Sequence, residues 1–120
     1  MLGWFVREEF LHFILEGEYD FSNAYWVKEA FEIALKNPHS ILLLHTEPVK
    51  IGNGYSQICS SGCSFMDVST LRVLVSNFIK DKQKGREVWV ILTPHLKKLF
   101  DIVNFTKWCD KVELRNGVTK

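Results

Sequence analysis

Val88-Trp89-Val90-Ile91-Leu92-Thr93-Pro94 reads as a buried strand that runs straight into a helix. Its unbroken apolar run suits a strand covered on both faces. Thr93 is placed to cap the helix with its hydroxyl, and Pro94 sits at the first helical position, where a missing N–H costs nothing. Leu96, Leu99, Phe100 and Val103 then form that helix's inner face. Upstream, Gly85 suits a left-handed helix end, and Leu71, Leu74, Val75, Phe78 and Ile79 recur at the spacing of an amphipathic helix before it.

The same alternation extends towards the N-terminus. Ile41-Leu42-Leu43-Leu44 is a second continuous apolar run, again expected to be doubly covered. Before it, Val27, Phe31, Ala34 and Leu35 mark a helix, capped by Ser22 or Asn23 and stopped by Asn37-Pro38. Trp26, Ala30 and Ile33 widen its apolar face, which predicts a well-buried helix. Phe10 to Leu15 reads as a strand followed by a turn at Gly17-Glu18-Tyr19-Asp20. Residues 4–7 suit an edge strand, and residues 111–115 a short last one. The expectation is an α/β domain over residues 1–120, with a four- to five-stranded, mostly parallel or mixed sheet and crossover helices.

Composition excludes several classes. The 120 residues are 47% hydrophobic, enough for a core. Lys+Arg 15 against Asp+Glu 14 leaves a formal charge of +1, so no general attraction to nucleic acid is expected. No apolar stretch approaches the roughly 20 residues of a membrane span. The first residues lack the pattern of a secretory signal. Three cysteines are too few for a disulfide scaffold, and a cytoplasmic location is the simplest expectation.

Residues 46–64 are long for a strand-to-helix connection, which usually takes about 2–6 residues. Val49-Lys50-Ile51 and Tyr55-Ser56-Gln57-Ile58 flank Gly52-Asn53-Gly54, which predicts an inserted hairpin or flap. Cys59 and Cys63, with His45 upstream and Cys109 downstream, lack the two tight ligand pairs of a structural zinc site. Ser69 has no G-x-S-x-G frame, and Gly52-Asn53-Gly54 lacks the ending of a phosphate-binding loop. Lys80, Lys82, Lys84 and Arg86 suit the negative end of a helix dipole rather than a base-stacking platform. No metal, cofactor or catalytic residue is expected.

Asp67-Val68-Ser69-Thr70 is more specific. Asp67 is placed to cap the helix that begins there, accepting a bond from the N–H of Ser69 or Thr70. Hydroxyls in a helix's first turn are also suited to carry phosphate, which would meet free N–H groups and a favourable dipole.

Three segments resemble the STAS domains of bacterial anti-sigma factor antagonists and sulphate transporters. Gly17-Glu18-Tyr19-Asp20 is similar to the family's G-E-L-D turn after the second strand. Ser64-Phe65-Met66-Asp67-Val68-Ser69-Thr70-Leu71-Arg72-Val73-Leu74 resembles its S-F-M-D-S-S-G-L-G-V-L signature. Gly85 to Val90, then Pro94, Leu96, Leu99, Phe100 and Phe105, follow its closing pattern. The resemblance implies a non-catalytic regulator of transcription whose partner is an anti-sigma factor with serine kinase activity. It also implies phosphorylation of the hydroxyl residue just after the signature aspartate.

This chain departs at that position, where Val68 cannot accept phosphate. Ser69 matches the second signature serine, Thr70 replaces a glycine, and Arg72 replaces another small residue. Two expectations follow. Either Ser69 or Thr70 has become the acceptor, or the switch is lost and binding is constitutive; the second is preferred, because a one-residue shift turns a helical side chain by about 100°. Asp67, Ser69, Thr70 and Arg72 are the expected partner-binding residues. The alternative implied by the resemblance is a small subunit of a membrane transport assembly.

Overall fold

The computed structural model describes residues 2–52 and 57–115. A central sheet has the strand order β1-β2-β4-β8-β9. Its strands are β1 (Leu2–Arg7), β2 (Phe10–Leu15), β4 (Ile41–His45), β8 (Glu87–Leu92) and β9 (Lys111–Leu114). β1 runs antiparallel to β2 at one edge, and the other three pairings are parallel. The mixed five-stranded α/β sheet expected from the alternation is therefore present.

Three helices supply the crossovers: α1 (Ala24–Ala34), α2 (Val68–Gln83) and α3 (Pro94–Ile102). Their apolar faces meet one side of the sheet. Leu11, Phe13 and Leu15 of β2, Leu42 and Leu44 of β4, and Val88, Val90 and Leu92 of β8 share one core with Phe31, Phe78 and Phe100. An aromatic chain crosses this core. Phe13 stacks on Phe31 with centroids 3.8 Å apart, Phe31 meets Phe78 edge-on, Phe78 meets Phe105, and Phe105 stacks on Phe100 at 4.5 Å. Sheet, all three helices and the 3-10 turn Thr106–Trp108 are thus joined through one set of rings.

The far end of α2 is clasped by a buried ion cluster. Asp81 is 1% exposed. It accepts from Arg86 at 2.7 Å and lies 2.7 Å from His39 Nε2, fastening α2 to the α1–β4 connection. Lys82 pairs with Asp110, whose carboxylate also accepts from the Val88 N–H. The basic stretch is consumed in part by these bonds, as a structural helix end should be.

Several expectations need correction. Gly17-Glu18-Tyr19-Asp20 is not simply a turn, because Gly17–Tyr19 forms strand β3, parallel to β7 (Cys63–Met66). Leu43 and Trp89 are only half-buried, since all three helices lie on the opposite face of the sheet. Trp26 and Ile33 are 68% and 56% exposed, so α1 keeps a narrow inner stripe. Asn23 does not cap α1 through its side chain; its Oδ1 instead accepts from the Asp20 N–H. Thr93 makes no capping bond either, although Pro94 starts α3.

Between β4 and β7, β5 (Val49–Gly52) pairs antiparallel with β6 (Gln57–Ser60). The Asn53-Gly54 turn and the Cys59 side chain lie outside the described residues. The base of this excursion is tight: Thr46 donates its hydroxyl to Ile91 O, and its own carbonyl accepts from Cys63 N. Among the described residues no helix is long and apolar enough to cross a membrane.

Candidate functional site

The parallel β3–β7 ladder carries the chain to the start of α2. Tyr19 pairs with Met66, both buried, and the next N–H, that of Asp67, donates to Tyr19 O at 2.9 Å. This bond fixes where α2 begins. Asp67 keeps an extended backbone and caps the helix: its Oδ1 accepts from the Thr70 N–H at 3.1 Å and from Ser69 Oγ at 2.6 Å. Partial burial works to raise its pKa, but the bonds from Ser69 and Thr70 outweigh it and hold the carboxyl below its ordinary range.

A second aspartate turn lies alongside. Asp20 accepts from the backbone and hydroxyl of Ser22, and those bonds lower its pKa against the opposing charge of Asp67. Two carboxylates, each holding a serine hydroxyl, thus stand at neighbouring strand ends. Apolar side chains open to solvent accompany them: Phe21 and Phe65 are exposed, and Val68 is 48% exposed at the first position of α2. Sequence patterning missed Phe21, Phe65, Asp20 and Ser22. The available signal was two aromatics next to turn residues, where no core position was required.

The four expected contact residues do not share one fate. Arg72 is exposed, and with Val68, Leu71, Val75, Ile79 and Val103 it borders a groove of about 640 Å³ along α2. Ser69 is half-buried with its hydroxyl engaged by Asp67. Thr70 must be corrected: it is 0% exposed, and among the described residues its enclosed hydroxyl has no hydrogen-bond partner of good geometry. Its side chain lies on the face of α2 that packs inward, so it can neither touch a partner nor accept phosphate without local opening.

Nothing at this site resembles nucleophilic chemistry. The Asp67 carboxylate that accepts from Ser69 Oγ is held below its ordinary pKa range, which makes it a weak base for activating a serine. Burial pushes the Cys63 thiol up to about 11 and the Cys109 thiol up to about 12, which keeps both protonated. His95 is exposed, and His45 is engaged by His12 and Glu47 on the other side of the sheet.

No protein-family model matches the sequence, and no curated protein matches it. Solved structures do. An anti-sigma factor antagonist from Mycobacterium paratuberculosis superposes with a TM-score of 0.73 at 12% identity, over 93% of this chain and 84% of that one. The Bacillus cell fate determinant SpoIIAA in its phosphorylated form gives 0.63 at 15% identity, over 92% and 90%. The anti-sigma factor antagonist SpoIIAA in its unphosphorylated form gives 0.61 at 14% identity, over 85% and 83%. What these similarities establish is architecture: the chain has the STAS fold of the anti-sigma factor antagonists.

Proposed function

We propose that this chain is a non-catalytic regulatory module that docks on a protein partner through the start of α2 and the groove beside it. The partner class is an anti-sigma-type regulator, as the structural neighbours suggest, and the setting is the cytoplasm. One observation carries the reading. At the helix entrance the exposed side chain is Val68, continuous with an apolar groove edged by Arg72, while both nearby hydroxyls are withdrawn. A surface of this kind binds through apolar contact and two peripheral cations, Arg72 and Lys80. At the helix entrance the Ser69 hydroxyl is engaged by Asp67 and the Thr70 hydroxyl is enclosed, which disfavours a covalent switch there, so binding is constitutive and is regulated by competition between partners.

Site-specific photo-crosslinking in the native cell tests this. A photo-reactive residue at Ser76, on the groove, should capture one protein, and the same probe at Lys36, away from it, should not. The captured protein should then bind the purified chain directly, and Arg72→Glu should weaken that binding. Equal capture from both positions, or an anti-sigma-type partner that binds Arg72→Glu unchanged, would remove this surface from the function.

A further inference from the structure

The face of the sheet opposite the helices carries a second constellation, independent of the docking surface. Glu47 follows β4 and is 1% exposed, and His45 beside it is 4% exposed. His45 Nδ1 lies 3.3 Å from Glu47 Oε1, and His45 Nε2 lies 2.9 Å from His12 Nδ1. The bonding order fixes the protons. Glu47 accepts from the Thr46 N–H and lies 3.7 Å from the Arg115 guanidinium, the surroundings of a carboxylate, so the neutral His45 ring donates to it from Nδ1 and presents a lone pair at Nε2. His12 therefore donates from Nδ1, and its Nε2 carries a lone pair with no partner among the described residues. Burial, the largest cause, pushes the His12 pKa down to about 4, which keeps the ring neutral near pH 7.

His12 lines a groove of about 460 Å³, within the range of small-molecule sites. His12 is held flat against Phe5, with centroids 4.6 Å apart. Phe10 and Trp89 supply further ring surface, edge to face at 5.3 Å, and Leu43 lies between their strands. Arg7 and Lys111 border the groove, and the Lys111 ammonium stands 4.7 Å from the Trp89 ring centroid. Arg115 is occupied by Glu113 and Glu47, so Arg7 and Lys111 outweigh the remaining rim carboxylate, Glu8.

We propose that this groove binds a small planar aromatic acid whose ring bears a hydrogen-bond donor. The ring lies against Phe10 and Trp89, the donor meets His12 Nε2, and the carboxylate faces the cationic rim of Arg7 and Lys111. A buried carboxylate that orients one histidine through another is costly to build for an empty surface. It is the arrangement that holds a neutral acceptor in one tautomer.

The test is an NMR titration of isotope-labelled protein, following the His12 ring and the Trp89 indole. Para-hydroxybenzoate should give saturable shifts at both. Benzoate, which lacks the ring donor, and para-hydroxybenzyl alcohol, which lacks the anion, should each bind about ten-fold more weakly, the worth of one hydrogen bond or charge contact. His12→Phe should erase the preference for para-hydroxybenzoate over benzoate. Arg7→Ala, on an exposed strand end, should weaken both acids and leave the alcohol unchanged. Absence of saturable shifts at His12 and Trp89, equal affinity for all three probes, or a preserved preference in folded His12→Phe overturns the proposal. If His12→Phe does not fold, unchanged binding of para-hydroxybenzoate by Arg7→Ala overturns it.

Discussion

Ser69 Oγ donates to Asp67 Oδ1 at 2.6 Å, within the same helical turn that the aspartate caps. The hydroxyl therefore belongs to the cap. Phosphorylating it would break that bond and set a dianion beside a carboxylate held in its charged form. Protein isolated from its native cell should accordingly show no stoichiometric phosphate on Ser69, measured by intact-mass and phosphopeptide analysis. Stoichiometric phosphate there would restore the covalent switch and end the constitutive reading.

Removing the cap should cost stability as well as docking. Asp67→Ala loses the acceptor for the Thr70 N–H and should destabilise the fold by about 1 kcal/mol, whereas Asp67→Asn keeps an oxygen and should cost less. Urea unfolding of the three proteins checks the order.

Arg72 separates recognition from folding. It is exposed and has no ion pair among the described residues, so Arg72→Glu should change stability by no more than about 0.5 kcal/mol. Partner affinity should fall about ten-fold or more, because the reversed charge stands at the rim of the apolar groove. Calorimetric titration against the crosslinked partner, beside a thermal melt, measures both.

The histidine relay predicts a pH response with a definite sign. His12 titrates near 6.5 when unfolded and at about 4 when folded, so between those values the unfolded chain binds more protons. Stability should fall as pH drops from about 6.5 to about 4. The carboxylates with lowered pKa, Glu16, Asp20, Asp67, Asp101 and Asp110, act at the foot of that window and below it, where their stabilisation is lost on protonation. His12→Phe should flatten the upper part of the profile and leave the lower part unchanged. Melting temperatures at half-unit pH steps resolve the two.

Gly62 should tolerate no side chain. Its φ is +91°, and an added Cβ would meet Pro48 N at 2.9 Å and Glu47 C at 3.0 Å, both backbone atoms. Gly62→Ala should destabilise the protein by about 1–3 kcal/mol, read by chemical denaturation. A neutral result would show that the base of the β5–β6 excursion can open.

The alternation of apolar runs made the sheet and its crossovers legible, down to Asp67 as a cap and Gly85 at positive φ. What escaped was which surface each residue faces. Ile41 to Leu44 and Val88 to Leu92 look doubly covered because the outward Leu43 and Trp89 are apolar too, and hydrophobicity does not separate a helix neighbour from a ligand groove. Thr70 was read from its hydroxyl, but helical phase turns it into the core. The His12–His45–Glu47 relay joins residues 33 apart in sequence and depends on the register of β2 against β4, which no local pattern records.

Both extremities of α2 are pinned, by the Tyr19–Asp67 bond at its beginning and by His39 and Arg86 on Asp81 at its end. A rod held at both tips cannot reshape itself to suit a visitor. Adaptation in any complex thus falls to the other molecule, and the entropic toll of association on this side stays small.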